Sequence, residues 1–444
     1  MRAFFGFVEF MKVHLKALGC RLNEAELEQW SRSFRLSGHD IVTDPEFADV
    51  VVVNTCAVTV DASKKSRKLM NRLHRENPHS KLVVSGCYAT LDAEKVAQRI
   101  GVDLVIPNQE KDQLPQTVMQ AFVANTMPLI AMEPGESSLF VRGRQRAFVK
   151  IQDGCRYRCT FCIVTLARGE ERSRSLRDII DEVNLLVEEE IQEIVLTGVH
   201  VGGYGSDIDA SLYELVKSLL QETDMPRIRF ASVEPWDLPE NFFALFENSR
   251  LMPHMHLPLQ SGADTVLRRM SRRCKTAEFS QLIKQIRAVV PNFNVTSDII
   301  VGFPGETEQE WQQTMQYVES IGFGHLHIFS YSPREGTKAA SLANPIANDI
   351  KKQRSKELHC LATKMKQQLL ASQKGLVVDV LWEQQKKNDA GQIIFSGYTP
   401  NYLKVEIVIN NAISESNLGL KNKITPVKIH AFSTDRLLLQ GTLL

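Results

Sequence analysis

Six of the eight cysteines fall into two sets of three, and their placement constrains both the fold and the chemistry of the chain. The first set follows three separate apolar runs, whereas the second forms one Cys-x3-Cys-x2-Cys motif. A four-iron cluster held by three thiolates keeps one iron without a protein ligand, and that iron can bind a substrate. The sequence therefore predicts two reactive iron–sulfur sites. The first set is Cys20, Cys56 and Cys87, and the second is Cys155, Cys159 and Cys162.

The N-terminal region, residues 11–110, shows the alternation of strands and helices that is typical of a doubly wound α/β sheet. Ligands bind such sheets beyond the carboxyl ends of the strands, which is where the first cysteine set lies. We therefore expect these three thiols to converge. The alternative is three unrelated buried thiols, because free cysteine is among the most buried residue types. The predicted strands are 13–18, 50–53 and 82–84, and the predicted helices are 24–36 and 62–76.

The region 147–372 contains six further strands with intervening helices, which predicts a partial (β/α)6 barrel. The second cysteine set follows the first of these strands, so its loop is expected at the active face of the barrel. Residues 111–146 are predicted to be a linker. Residues 373–444 have short strands separated by turns, which indicates a small antiparallel β-barrel. The predicted central strands are 148–152, 193–197, 227–232, 255–259, 294–301 and 325–331.

Composition indicates a globular protein of a reducing compartment. No apolar stretch approaches the roughly 20 residues that span a bilayer. Residues 1–10 lack the features of a secretion signal and are predicted to precede the native start, because a clean strand begins near Met11. Eight cysteines without such a signal favour metal binding or catalysis over disulfides. We therefore expect a cytoplasmic protein with no membrane partner.

Basic residues cluster around the cysteine motifs, although the formal net charge is only +1. One group, within residues 64–75, lies on a predicted helix just after Cys56. Others lie within 142–146, 168–177 and 268–273. Each group alone could be an ordinary solvated surface. Their repetition favours a polyanionic substrate, because neutralising phosphates supplies much of the affinity for nucleic acids.

Several longer motifs surround the second cysteine set and continue along the chain. They are Phe148-Val-Lys-Ile-Gln-Asp-Gly-Cys, Cys159-Thr-Phe-Cys-Ile, Ala167-Arg-Gly, Arg172-Ser-Arg, His256-Leu-Pro-Leu-Gln-Ser-Gly and Ser297-Asp-Ile-Ile-Val-Gly-Phe-Pro-Gly-Glu-Thr. Together they resemble the motifs of the radical S-adenosylmethionine methylthiotransferase family. The resemblance runs from about residue 12 to residue 444. It implies an α/β fold class with a cysteine-triad domain, a radical domain and a C-terminal barrel of the TRAM type.

Within that family, Leu18-Gly-Cys-Arg-Leu-Asn and Thr197-Gly-Val-His resemble the branch that methylthiolates N6-threonylcarbamoyladenosine in tRNA. The isopentenyladenosine branch typically has Gly-Cys-Gln-Met-Asn at the first motif, and the ribosomal-protein aspartate branch has Gly-Cys-Pro-Lys-Asn. Both remain alternatives. The chain departs from the family pattern at Arg156, at Thr165 and Leu166, and in the nearly neutral charge of its C-terminal barrel.

The resemblance implies two [4Fe–4S] clusters and S-adenosylmethionine as cofactors. Cys155, Cys159 and Cys162 would hold the cluster that generates a radical, which abstracts the hydrogen at C2 of the adenine. Cys20, Cys56 and Cys87 would hold an auxiliary cluster that carries the inserted sulfur. The implied partners are the anticodon stem-loop of tRNA, an electron donor such as flavodoxin or ferredoxin, and a sulfur source.

Four polar or small residues follow or lie within the central strands where cofactor contacts are expected, and each could equally be structural. They are Gly198, Ser232, Gln260 and Asp298. No catalytic side chain is assigned. Cys360 is predicted to pack on a helical face, and Cys274 has no role. Tyr402 and Lys404 could contact RNA or simply pack. A metal-binding RNA module and a thiol–disulfide enzyme are alternatives from other functional classes.

Overall fold

The computed structural model describes residues 10–122, 146–239, 241–388, 391–409 and 419–444. These residues form two compact units. The first contains residues 10–122 together with Asp153–Tyr157 and Cys162–Glu171, and the second contains the other described residues. Residues 1–9 of the predicted upstream segment 1–10, and residues 123–145 of the predicted linker 111–146, lie outside the described residues.

The first unit has a five-stranded parallel sheet in the order β2-β1-β3-β4-β5. Alternate residues of β3 face opposite sides. Val50 and Val52 pack with Trp30 and Phe34 of α1, whereas Val51 packs with the helix α2. The predicted doubly wound sheet is confirmed. The elements are β1 Lys12–Ala17, α1 Arg21–Leu36, β2 Asp40–Ile41, β3 Val50–Thr55, α2 Val60–Glu76, β4 Lys81–Gly86, α3 Cys87–Leu91, α4 Ala93–Ala97, β5 Val102–Ile106, α5 Leu114–Phe122 and α6 Val164–Arg168.

The second unit begins with parallel strands in the order β6-β9-β10 and β11-β12-β13. Parallel bridges from Ile228 to Leu251 and from Ser232 to His256 connect the two groups. The result is the predicted partial (β/α)6 barrel. The two-residue strand β7 Gln152–Asp153 has its second residue in the first unit. The other elements are β6 Arg146–Lys150, β8 Arg172–Ser173, α7 Leu176–Glu188, β9 Glu193–Thr197, α8 Leu212–Glu222, β10 Arg227–Phe230, β11 His254–His256, α9 Asp264–Arg269, α10 Thr276–Val289, β12 Asn294–Val301, α11 Glu308–Ile321, β13 His325–Ser330 and α12 Asn348–Ser372.

The same unit ends in a closed five-stranded barrel in the order β14-β15-β16-β18-β17. The prediction of a small barrel is confirmed, with one difference: β16 and β18 pair in parallel, and the other pairs are antiparallel. Trp382, Phe395 and Val427 lie in its core. The strands are β14 Val377–Lys387, β15 Ile393–Tyr398, β16 Lys404–Ile409, β17 Ile424–Ser433 and β18 Leu438–Leu443.

Tyr402 of the C-terminal barrel packs among arginines at the amino ends of the central strands. The guanidinium of Arg229 lies 4.6 Å from the centre of the Tyr402 ring, and that of Arg146 lies 5.1 Å away. Tyr398 stacks on the same ring at a centroid distance of 4.9 Å. Other side chains of the protein therefore already pack against the Tyr402 ring. The packing alternative for Tyr402 is favoured over RNA stacking.

Cys360 corrects one expectation from the sequence. It is exposed on α12, whereas Leu358, Met365 and Leu370 form the buried side of that helix. The prediction that Cys360 packs is therefore wrong. Among the described residues, no helix is both long and apolar enough to cross a membrane.

Candidate active site

The first cysteine set lies at one edge of the sheet of the first unit. Cys20 stands immediately before α1, Cys56 follows β3, and Cys87 begins α3 directly after β4. Because β1, β3 and β4 are neighbours in a parallel sheet, their carboxyl ends are adjacent. Cys56 and Cys87 are buried, whereas Cys20 is exposed. The exposure of Cys20 concerns the residue as a whole, because burial of its thiol still raises the pKa of Cys20.

The thiols of this set are close together. A Cβ atom built on Gly19 would lie only 2.6 Å from Cβ and 2.8 Å from Sγ of Cys56, so Cys56 packs directly against the backbone beside Cys20. Burial, with a smaller contribution from the nearby Cys20 and Cys87 thiols, raises the pKa of Cys56 to about 11. The predicted convergence is confirmed. Three soft sulfur ligands at one point fit an iron–sulfur cluster, which must displace the thiol protons to bind.

Two asparagines hold this set in place. The Cys20 thiol donates to Oδ1 of Asn23 at 3.6 Å, and Nδ2 of Asn108 donates to the Cys87 sulfur at 3.7 Å. Nδ2 of Asn23 also donates to the carbonyls of Leu18 and Thr55, at 2.7 and 3.2 Å. These bonds join the segments that precede Cys20 and Cys56.

Cys155 and Cys162 of the second set belong to the first unit. The amide of Cys155 donates to the Gly169 carbonyl at 3.1 Å, and the Cys162 sulfur accepts from the amide of Val164 at 3.4 Å. Gly154, with φ of +72°, makes the close approach possible, because a Cβ atom there would lie 1.8 Å from the Glu170 carbonyl oxygen. The loop around these two cysteines is therefore tightly fixed.

Cys159 belongs to the second unit, where Arg272 is its neighbour. Nη1 of Arg272 donates to the Cys159 sulfur at 3.8 Å, and its guanidinium lies 4.3 Å from the centre of the Trp236 ring. Thr160 is anchored by a bond from its amide to the Met270 carbonyl at 3.0 Å. Arg272 belongs to a basic group for which the sequence favoured a phosphate partner. In the structure it faces a sulfur.

Three of the four predicted cofactor contacts follow the strands β9, β10 and β11, and the fourth, Asp298, lies within β12. Gly198 lies in a turn whose next two amides donate to Oε1 of Gln152, at 3.0 and 2.9 Å. Gln260 has φ of +80°, and Oδ1 of Asp298 lies 3.1 Å from Nε2 of His256. Ser232 bridges to His256 through its backbone. The structure thus places all four in one region of the unit, and their contact with S-adenosylmethionine stays a prediction.

A strip of rings beside Asp298 was missed at the sequence level. His325, His327 and Phe329 alternate along β13, so they share one face. The His325 and His327 rings are 4.8 Å apart, and those of His256 and His327 are 5.4 Å apart. The period-two spacing of His-Leu-His-Ile-Phe was the available signal. Ligand atoms of His256, Asp298 and His327 all lie within 4.8 Å of one another, so together they could hold a cation or a polar ligand group.

Two other histidines that the sequence could not interpret have structural partners. Nε2 of His200 lies 2.6 Å from Oδ2 of Asp237. His254 is enclosed by the Tyr402 ring, at a centroid distance of 4.9 Å, and by the hydroxyl of Thr296 at 3.3 Å. Both side chains are buried. Each ring therefore has at least one nitrogen within hydrogen-bond distance of a polar side chain.

Comparison with known families agrees with this arrangement. Residues 12–107 match the family described as "Uncharacterized protein family UPF0004", and residues 149–318 match the radical SAM superfamily. The chain is 35% identical to the threonylcarbamoyladenosine tRNA methylthiotransferase of Bacillus subtilis, over 94% of this chain and 93% of that protein. The chain belongs to the radical SAM methylthiotransferase family.

Other relatives of this methylthiotransferase include two named activities. The threonylcarbamoyladenosine tRNA methylthiotransferase of Thermotoga maritima is 32% identical, over 90% of this chain and 92% of that protein. The tRNA-2-methylthio-N(6)-dimethylallyladenosine synthase of Oceanobacillus iheyensis is also 32% identical, over 97% of this chain and 85% of that protein. Both activities act on tRNA, so tRNA is the substrate class of the relatives.

A solved structure shares the fold. The radical S-adenosylmethionine methyltransferase TsrM from Kitasatospora setae superimposes with a TM-score of 0.56 and 13% identity, over 74% of this chain and 77% of that one. At this identity the likeness concerns the fold alone. As a radical SAM enzyme, this methylthiotransferase uses S-adenosylmethionine and [4Fe–4S] chemistry. The free thiols of Cys20, Cys56 and Cys87 and of the Cys155–Cys162 motif fit that requirement.

Proposed function

We propose that this enzyme methylthiolates C2 of N6-threonylcarbamoyladenosine next to the anticodon of tRNA. The observation that carries the proposal is nearly full-length similarity, at 35% identity, to a protein named for that activity. The motif Gly19-Cys20-Arg21-Leu22-Asn23, which contributes one thiol and the Asn23 bridge to the first cysteine set, supports the same branch.

We assign the cluster ligands as two groups. Cys20, Cys56 and Cys87 hold the auxiliary cluster, and Cys155, Cys159 and Cys162 hold the radical cluster. When bound, the two clusters and S-adenosylmethionine supply the radical, sulfur and methyl group that convert a C–H bond into C–S–CH3. The chain itself positions these groups: Asn108 and Arg272 donate to the sulfurs of Cys87 and Cys159, and a cluster-bound thiolate can keep both bonds.

The test is an anaerobic reaction with defined tRNA substrates. Reconstituted enzyme, S-adenosylmethionine, sulfide and a chemical or flavodoxin reductant are incubated with tRNA that carries threonylcarbamoyladenosine, isopentenyladenosine or unmodified adenosine. Mass analysis of nucleosides is expected to show the methylthio product only with the first tRNA. Product only from isopentenyladenosine would replace this proposal with the dimethylallyladenosine activity, which relatives of similar identity carry.

An exposed basic face on α2 supports a tRNA partner. The buried side of this helix is formed by Leu69, Met70 and Leu73, which leaves its lysines and arginines on the other side. Ionic partners for this face are weak, because the pairs Lys64–Asp61 and Arg72–Glu76 are long, at 3.7 and 3.4 Å, and solvent-exposed. The basic face consists of the exposed residues Lys64, Lys65, Lys68, Arg72 and Arg75.

We expect the triple variant Lys64→Glu, Lys65→Glu, Lys68→Glu to bind tRNA more weakly by about tenfold or more at low salt, because phosphate contacts are lost. The slope of log affinity against log salt should fall by about two to three, roughly 0.7–0.9 for each lost phosphate contact. Filter binding across a salt series measures both. The control carries Lys352→Glu, Lys356→Glu and Lys374→Glu, three exposed lysines of the second unit. Equal losses in both variants would remove the basic face as a specific tRNA surface.

A further inference from the structure

Four ionised side chains are buried together in the first unit, beside the first cysteine set. Nη1 of Arg168 donates to Glu26 and to Asp153, both at 3.0 Å, and Nζ of Lys111 lies 2.5 Å from Glu26 and 2.8 Å from Asp153. None of the four side chains is more than 2% exposed. We call these four residues the charge network. Two carboxylates and two cations balance one another.

Stability alone does not explain such a network. Removing charges from water is costly, and well-packed apolar residues of similar volume often give equal or greater stability. The network also draws on distant parts of the chain, since Glu26 and Arg168 are separated by 142 positions. A fully paired buried network of this kind rigidifies the interior, and it therefore holds its four charges at fixed positions.

Arg168 is linked to Cys20 through the side chain of Asn23. Oδ1 of Asn23 accepts from Nη2 of Arg168 at 2.7 Å and from the Cys20 thiol at 3.6 Å. On the other side, Nδ2 of Asn108 donates to the Ala167 carbonyl at 2.7 Å and to the Cys87 sulfur at 3.7 Å. Two asparagine bridges therefore fix the Ala167-Arg168 segment against two of the three thiols.

Arg168 stays positively charged in this environment. Burial alone would lower the pKa of its guanidinium, but the acids of the network and the thiols of Cys20 and Cys87 together raise that pKa well above its ordinary value. A fixed cation in a poorly solvated site acts strongly on a nearby charge, because the effective dielectric constant there is far below that of water.

We propose that Arg168 is a positioning residue whose guanidinium, held by Glu26, Asp153 and Asn23, sets the reduction potential of the cluster on Cys20, Cys56 and Cys87. This inference rests on the proposed function, which assigns a cluster to those cysteines. Cluster potentials depend on net charge and on hydrogen bonds around the sulfurs. Reduction adds one negative charge to the cluster, and the nearby cation stabilises that reduced state.

The potential is measured on the full chain in a background that lacks the second cysteine set, Cys155→Ala, Cys159→Ala and Cys162→Ala. Redox titration followed by electron paramagnetic resonance then reports the auxiliary cluster alone. Arg168→Gln removes one positive charge and is expected to lower the potential. Glu26→Gln removes one negative charge with nearly the same shape and is expected to raise it. Opposite shifts are the signature of electrostatic control, because general structural damage would not change sign with the charge removed.

Arg354→Gln is the matched control. Arg354 is also a buried arginine, and its Nη1 lies 2.9 Å from Glu306 in the second unit. Its removal should leave the potential unchanged. The inference is overturned if Arg168→Gln and Glu26→Gln both keep the parental potential, or if Arg354→Gln shifts it by as much. If only one of the two network variants binds iron, the direction of its shift in reduction potential decides. A lower potential for Arg168→Gln, or a higher one for Glu26→Gln, supports the inference, and the opposite direction overturns it.

If neither Arg168→Gln nor Glu26→Gln binds a cluster, their potentials cannot be measured. A second measurement then uses protein whose charge network is unchanged. With ¹⁵N-labelled arginine in the same background, the reduced cluster should show hyperfine coupling to a guanidinium nitrogen, and no coupling would overturn the inference. Failure of the proposed function looks different. If the background protein itself binds no iron, the first cysteine set holds no cluster at all.

Discussion

Replacing Cys20, Cys56 and Cys87 with alanine is expected to abolish methylthiolation completely while the enzyme still cleaves S-adenosylmethionine. The reason is that different segments of the chain carry the two sets: the first follows β1, β3 and β4 of the parallel sheet, and the second lies in the loop after β6. Removing the three thiols leaves the second set with its own contacts, including the bond from Arg272 to Cys159. The substrate should be activated but receive no sulfur.

Iron analysis of anaerobically reconstituted protein checks this result. The parent should bind about eight irons and the triple variant about four, as expected for two [4Fe–4S] clusters. The matched variant, in which Cys155, Cys159 and Cys162 are replaced, should also bind about four irons but cleave no S-adenosylmethionine. A first-set variant that keeps full iron content, or that still forms the methylthio product, would exclude the auxiliary-cluster assignment.

Alanine at Gly86 or Gly19 is expected to eliminate the auxiliary cluster with every cysteine still present. Gly86 has φ of +94°, and its Cβ would lie 2.4 Å from the Thr55 carbonyl oxygen and 2.5 Å from the Thr55 nitrogen. These two atoms belong to the backbone of β3 and cannot easily give way. Gly86 must therefore shift, and Cys87, the residue after it, must move as well. Gly19 has φ of +110°, and a Cβ there would overlap Cys56. Iron content should therefore fall from about eight to about four in either variant.

Gly38→Ala separates backbone strain from steric overlap. Gly38 also has a positive φ, +84°, in the same unit, but no atom lies within 4 Å of its Cβ position. The substitution should reduce the free energy of unfolding by about 1–2 kcal/mol, the cost of a left-handed conformation, and leave iron content unchanged. Urea denaturation and iron analysis on the three variants measure both quantities. If Gly86→Ala retains the iron content of Gly38→Ala, the close approach at Gly86 does not control the site.

The local pattern of the sequence predicted most of the fold. Buried parallel strands are nearly continuous apolar runs, so the positions of β3 and β4 were visible, and β9 and β12 match the predicted bounds. Two-residue strands such as β2 and the partly exposed β5 carry too weak a pattern to be found. The parallel pairing of β16 with β18 was also missed, because strand order depends on contacts distant in the sequence.

The candidate site, like the fold, was only partly predictable from the sequence. Cysteine spacing at strand ends predicted the convergence of the first set. The charge network was not predictable, because Lys111 and Glu26 are 85 positions apart and each reads locally as a surface charge. The prediction for Cys360 failed for the opposite reason, because the local pattern indicated burial where the structure shows exposure. The buried side of α12 is formed by other residues of the helix. Tertiary contacts decided these cases.

The charge network also sets an order of events during synthesis. Glu26 and Lys111 leave the ribosome well before Asp153 and Arg168. They pair with each other, but each also has a buried partner in the later segment, Arg168 for Glu26 and Asp153 for Lys111. Domains usually fold N-terminal first, but this one cannot complete its interior until about residue 168 has emerged. The sheet and its three thiols are translated early and remain unfinished until then. Iron delivered before that point would meet an incomplete set of neighbours around the three thiols. If the first cysteine set holds a cluster, as proposed, we expect it to be loaded only after Arg168 has been translated.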